Sequence, residues 1–183
     1  MVQWESINEL NACRLLDANP FVKEYYEQPL TIHYELDGET HNHYPDFLVM
    51  SEMAKELWEV KPLSDAKKPE NVARTELLTA ELPDLGFSYR LIVAEDLAQE
   101  PRLSNVITLL KFGRFPISPL ARERIRRLFL QSGTINWGVV KCGDIGPIGR
   151  QIVCRLVLEG VVGFNIEKPW TDATILHWVS QAL

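Results

Sequence analysis

The sequence predicts an α/β chain: a mixed-sheet core over residues 1–100, a connector over 101–117 and a small α+β unit over 118–183. Two observations carry this. Between Glu24 and Ala94, short runs rich in β-branched and aromatic residues are bounded by turn formers. One helix-like stretch separates the last two runs, which asks for a crossover between parallel strands. After Ser118, three helix-length stretches lead into two short strand-like runs. With 183 residues, 46% of them hydrophobic, the chain can bury the core of one domain or of two small ones.

Taken in order, residues 6–17 read as a helix that Asn19-Pro20 stops. Glu24 to Leu36 alternates loosely, with Ile32, Tyr34 and Leu36 on one face, and Asp37-Gly38 is a hairpin turn. His43 to Met50 returns as the paired strand, and Leu57 to Lys61 is the next. Pro69 suits the first position of a helix running to Leu82, because its missing N–H has no helical partner there. Phe87 to Ala94 is a buried strand. Pro101, Gly113, Pro116 and Pro119 punctuate the connector.

In the second unit, Ser118-Pro119 reads as a helix cap followed by a first-turn proline, with the helix ending at Gln131 before Gly133. A short helix spans Asn136 to Lys141. A third runs from Ile148 to Glu159, with Gly160 as its C-terminal cap and Ile148, Ile152, Val153 and Leu156 as its core stripe. Val161 to Ile166 and Ile175 to Val179 complete a terminal hairpin. Three helices and a hairpin predict a winged-helix-like unit. Arg150, Gln151 and Arg155 then remain on the third helix for phosphate or base contacts.

Charge is unevenly placed. Residues 1–101 hold 8 Lys and Arg against 20 Asp and Glu, whereas residues 102–183 hold 11 against 5. The second half therefore suits a polyanion or an acidic partner. No run approaches the ~18 apolar residues of a membrane span. No basic segment precedes an apolar one at the N-terminus, so no secretory leader is expected. Cys13, Cys142 and Cys154 are odd in number and widely spaced, which predicts reduced thiols in the cytoplasm.

The chemistry concentrates between Pro45 and Lys61. Side chains alternate along a strand, so Glu59 and Lys61 share one face while Trp58 and Val60 take the other. If the strand beginning at Asp46 pairs alongside, a second carboxylate joins them. Two carboxylates offer hard oxygens to Mg²⁺ or Mn²⁺, and a lysine beside them can position a water or offset charge on a phosphate. Pro83-Asp84 and Asp65-Ala66-Lys67 repeat parts of this pattern, but they fall in a helix stop and a loop. Glu9 lies on a helical stripe with Ala12, Cys13 and Leu16, where a carboxylate needs a partner. That partner is a metal, or, in the capping-box reading of Ser6 to Glu9, the Ser6 amide; Glu5 is the fallback carboxylate.

This set resembles the PD-(D/E)xK phosphodiesterase motif, with Pro45-Asp46 and Glu59-Val60-Lys61 as the matching residues. With Glu9 eleven positions before Pro20, Glu27-Gln28-Pro29-Leu30, Tyr44 to Val49 and Lys61-Pro62, the stretch from residue 5 to 94 resembles TnsA, the endonuclease subunit of heteromeric transposases. The resemblance implies a restriction-endonuclease-like core and a metal-dependent enzyme acting on double-stranded DNA at the 5′ ends of a transposon. It implies partners too: a DDE transposase that cuts the 3′ ends, and an AAA+ regulator. It assigns metal binding to Asp46, Glu59, the Val60 carbonyl and Glu9, catalysis to Lys61, and a supporting role to Gln28. The chain begins close to Glu9, so an N-terminal DNA-contacting element is expected to be missing or reduced.

Two further readings stay open: a stand-alone restriction or recombination nuclease on the same core, and a non-catalytic DNA- or partner-binding adaptor. The intact Asp46, Glu59 and Lys61 set argues against the adaptor. His33, His41 and His43 flank the hairpin turn and could face one another as a zinc-like cluster; a solvated polar hairpin is the favoured reading. Trp58 and Trp137 are expected in the core.

Overall fold

The computed structural model describes residues 7–179. The chain divides into two compact units, one running up to Leu16 and from Phe21 to Ala98, the other made of Asp17–Pro20 and the residues from Gln99 onward. Among the described residues no helix is long and apolar enough to cross a membrane.

The first unit is a four-stranded mixed sheet with a separate hairpin. Helix α1 (Ile7–Ala18) precedes β1 (Glu24–Glu27), and β2 (Ile32–Leu36) and β3 (Glu39–His43) form the hairpin. Then come β4 (Phe47–Met50), β5 (Lys55–Lys61), a single helical turn α2 (Leu63–Ala66), α3 (Pro69–Glu81), β6 (Ser88–Val93) and a short α4 (Ala94–Leu97). The sheet order is β1-β4-β5-β6, with β5 antiparallel to β4 and parallel to β6. Helix α3 lies in the crossover that this parallel pair requires.

One sheet face buries Phe47, Val49 and Val60 against Ala12, Cys13 and Leu16 of α1. The other buries Leu57 and Tyr89 against Leu78 of α3 and Leu82 just beyond it. Trp58 is only half-buried; its indole N–H donates to Glu56 Oε2 at 2.7 Å.

The expected long strands are broken in two places. Glu24 to Leu36 divides at Gln28, whose φ of 42° is left-handed, and at Pro29. The expected strand from His43 to Met50 divides at Pro45, which has no N–H to give a ladder. The hairpin therefore pairs only with itself, in the register Ile32 opposite His43. Its two turn residues, Asp37 and Gly38, have φ of 53° and 78°, as a turn matched to strand twist requires.

The second unit corrects the expected connector. Residues 101–117 hold a helix, α5 (Arg102–Gly113), which buries Leu103, Val106, Leu109 and Leu110. Its apolar residues recur at helical spacing, and Gly113 is a helix-packing position rather than punctuation. α6 (Pro119–Ser132), α7 (Trp137–Cys142) and α8 (Gly149–Leu158) follow, joined to a three-stranded sheet of β7 (Thr134–Asn136), β8 (Val162–Gly163) and β9 (Ile175–Trp178) in the order β7-β9-β8. Strand β7 is an addition to the expected hairpin, and β8 is two residues long rather than six.

Ser118 caps α6 by accepting from the Ala121 N–H at 3.2 Å. Gly160, at φ 71°, closes α8: its N–H reaches the Val157 carbonyl and the Val161 N–H reaches that of Leu156. Ile152, Val153 and Leu156 are buried with Trp137, Ile125 and Phe129. Ile148 leaves the expected stripe and is 55% exposed, because it stands before the helix begins.

A β-carbon built on Gly113 would lie 2.8 Å from the Cys154 carbonyl carbon and 2.9 Å from its oxygen. Alanine gains about 1 kcal/mol of helix propensity over glycine. A backbone cannot yield as a side chain does, and overpacking costs about 1–3 kcal/mol. Gly113→Ala is therefore expected to lower Tm by a few degrees, at roughly 2–4 °C per kcal/mol. A thermal melt showing equal or higher Tm would refute the close approach of these helices.

Candidate active site

Alternation along β5 sorts its side chains. Leu57, Glu59 and Lys61 take the face covered by α3, while Trp58 and Val60 pack with the α1 cluster. Glu59 is 3% exposed, a burial that carboxylates tolerate only when paired. Its Oε1 lies 2.7 Å from Lys61 Nζ and 3.7 Å from Arg74 Nη2. Its Oε2 is buried and makes no hydrogen bond, with His43 Nε2 at 3.6 Å. The Lys61 side chain is a third exposed, so its ammonium borders solvent.

Asp46 follows the buried Pro45 at the entry to β4. Its Oδ2 accepts the Val60 N–H at 2.7 Å, which fixes the carboxylate against β5. Its carbonyl accepts the Gln28 N–H at 2.9 Å, so Gln28 supports this corner through its backbone. Burial, then the negative charge of Glu59, pushes the Asp46 carboxyl up from its ordinary 3.8 to about 6. The Val60 N–H and Lys61 oppose that shift, and the charge of Glu9 adds to it. Glu9, half-buried on α1, is thus electrostatically coupled to Asp46. Ser6, the capping partner, and Glu5 lie outside the described residues.

Four residues outside the sequence motif complete the surroundings. Arg74 Nη2 donates to Asn71 Oδ1 at 2.8 Å, and Asn71 Nδ2 donates to the Asp65 carbonyl at 2.7 Å. Tyr89 Oη sits 2.9 Å from His43 Nε2. Burial, then Arg74 and Lys61, pushes His43 down to about 4, so it is neutral at pH 7. Asn71, Arg74, Thr75 and Leu78 lie on one stripe of α3. Polar residues on an inward stripe were the signal available in the sequence. The three hairpin histidines do not cluster: His43 is buried, while His33 pairs with Asn42 and His41 stacks on Tyr34.

Among the described residues, no three His, Cys, Asp or Glu side chains form a ready cage for a metal. Two features nevertheless fit a hard cation. Glu59 Oε2 is a buried acceptor without a hydrogen bond, and the Asp46 carboxyl is raised to about 6 by burial and by the negative charge of Glu59. A cation bound between these carboxylates would relieve both. Mg²⁺ commonly uses only one or two carboxylates and takes its remaining ligands from water and substrate phosphate.

In the second unit, Arg150 is exposed and donates to the Lys141 carbonyl at 2.8 Å. Arg155 is engaged with Glu159 at 2.6 Å, and Glu159 also meets Arg122 at 2.5 Å. Gln151 Oε1 is buried without a hydrogen bond. Cys154, pushed up to about 12 by burial, is an inert thiol.

Residues 19–93 match the model of the family described as TnsA-like endonuclease N terminal. The match contains Gln28, Asp46, Glu59 and Lys61, and leaves Glu9 and the second unit outside it. No curated protein matches the chain.

The raised Asp46 value fixes a sign. The folded state holds this proton more tightly than the unfolded chain, so the group's stabilisation is complete below about pH 3.8 and is lost as pH rises through about 6. Asp46→Asn keeps an oxygen for the Val60 N–H and removes the charge. In EDTA at pH 8 its Tm is expected to exceed that of the wild type by roughly 2–6 °C, with the gap closing by pH 4. A variant melting below the wild type at pH 8 would contradict the electrostatic account.

Proposed function

We propose that this chain, which carries a TnsA-like N-terminal endonuclease domain over residues 19–93, is a metal-dependent DNA endonuclease that hydrolyses phosphodiester bonds at the 5′ ends of a transposon. The observation behind the reading is the state of Glu59. One oxygen is held by Lys61, the other is buried without a hydrogen bond, and the Asp46 carboxyl senses its charge. A structural ion pair gains nothing from an unbonded oxygen; a ligand site does.

In this reading Asp46, Glu59, the Val60 carbonyl and Glu9 hold Mg²⁺ or Mn²⁺. Bound there, the cation lowers the pKa of a water and offsets charge on the phosphate. Lys61 borders solvent and donates to the attacking water or to a phosphate oxygen. Its charge counts most as negative charge builds during attack. The Val60 N–H holds Asp46 in place, and Gln28 holds the backbone behind it.

The second unit serves as a winged helix that docks the substrate. Its order of helix, strand, two helices and a strand pair supports this, with α8 presenting Arg150. The acidic first half disfavours tight DNA binding by itself. A DDE transposase and an AAA+ regulator would bring the domain to transposon ends in the cytoplasm.

Lys61→Ala is expected to slow cleavage of transposon-end DNA by about 10²–10³-fold while leaving DNA binding intact, and to lower Tm because the buried Glu59 loses its closest cation. Asp46→Ala is expected to lose more, since it removes a metal ligand. The assay uses end DNA with and without a partner transposase, in Mg²⁺ and in EDTA. Metal-dependent cleavage by Lys61→Ala at the wild-type rate would mean that the active site lies elsewhere.

Arg150→Ala and Arg155→Ala are expected to flatten the salt dependence of DNA binding, by about one unit of slope for each phosphate no longer neutralised. An unchanged slope would assign the second unit to a protein partner.

A further inference from the structure

The histidine that the hairpin carries to its buried end is unused by the mechanism above. His43 is 6% exposed and closes β3, three residues before Asp46. Its Nε2 lies 2.9 Å from Tyr89 Oη and 3.6 Å from Glu59 Oε2, the oxygen without a hydrogen bond. Tyr89 stands opposite Leu57 in the parallel β5–β6 register, two residues from Glu59, so both point to the same face. His43 and Tyr89 also pack ring edge against ring face, with centroids 5.7 Å apart.

We propose that His43 is a positioning residue for Glu59: the ring, held by Tyr89, fixes the direction of the carboxylate so that Oε2 stays available to a cation while Oε1 stays with Lys61. The idea rests on the cleavage function proposed above and adds a residue to it.

The chemistry narrows the arrangement. A carboxylate accepts only, so the tautomer suited to both neighbours carries its proton on Nε2, which donates to Tyr89 Oη and faces Glu59 Oε2 without bonding it. At 3.6 Å the contact is too long for a hydrogen bond, so the N–H dipole biases Oε2 only electrostatically, a restraint that a cation can outcompete. A full hydrogen bond there would occupy the oxygen. A purely apolar neighbour would leave the side chain free to turn. Such supporting groups typically change metal affinity by roughly 10–100-fold when removed.

The test measures Mn²⁺ binding by electron paramagnetic resonance on the full chain without DNA, beside the Mn²⁺ dependence of cleavage. His43→Phe keeps the ring's shape and removes the donor. It is expected to raise the half-saturating Mn²⁺ concentration about 10–100-fold in both measurements, with DNA affinity in EDTA unchanged. His43→Gln, whose amide N–H can stand near Nε2, is expected to recover most of that loss. A merely structural histidine would lower Tm without changing Mn²⁺ affinity, and that outcome overturns the proposal. So does His43→Gln binding as weakly as His43→Phe. If His43→Phe does not fold, Tyr89→Phe deletes one oxygen from the same chain and is expected to weaken Mn²⁺ in the same direction; wild-type affinity there overturns it as well. Asp46→Ala separates the two levels. If the wild type binds Mn²⁺ no better than Asp46→Ala, the metal site itself falls, and the role of His43 falls with it.

Discussion

Two carboxylates cannot share a poorly solvated corner unless positive charge or N–H groups hold them there. Asp46 and Glu59 are that pair, and much of the first unit can be read as the means of holding them. The Val60 N–H and the Lys61 ammonium come from β5 itself. Arg74 comes from the crossover helix, braced by Asn71 on a carbonyl of the short α2 turn. Each contact lowers the cost of burial without removing it, since Asp46 still sits well above the ordinary carboxylate range. In the function proposed above, that residual cost is what a bound cation would release.

The sequence could reveal Asp46, Glu59 and Lys61 because their placement depends on local rules: a period of two along a strand and a proline at its entry. It could not reveal Arg74 as a partner of Glu59, or Tyr89 as a partner of His43. Each arrives from an element whose position depends on how α3 packs across the sheet, and no spacing records that. His43 is visible in the sequence but not distinguishable there. Three histidines around a turn look alike, and only the break at Pro45 separates the buried one from the solvated ones. The helix over Arg102–Gly113 is hidden by its flanking prolines and its terminal glycine, which resemble the marks of a linker. Its apolar residues at helical spacing are the better guide.

Net charge is also a coarse guide to the second unit. Its excess of Lys and Arg suggests an open basic surface, yet several of these cations are engaged within the unit. Arg126 and Arg127 both hold Glu123, while Arg122 and Arg155 hold Glu159. Pairs this exposed are individually weak, so a polyanion can exchange for the glutamates at low ionic strength and lose that contest as salt rises.

The two-residue turn at Asp37-Gly38 lies at the far end of the hairpin from His43, and a β-carbon on Gly38 would meet nothing within 4 Å. By the usual measures of burial and crowding it is a position of no consequence. Yet both turn residues adopt positive φ, and their geometry decides which residue of β3 lands opposite Ile32. A change there that slipped the pairing by one would carry His43 out to water and turn Asn42 inward. An exposed, uncrowded loop thus has a hold on the interior, and a tolerance map of this protein drawn from solvent accessibility alone would miss one of its fragile points.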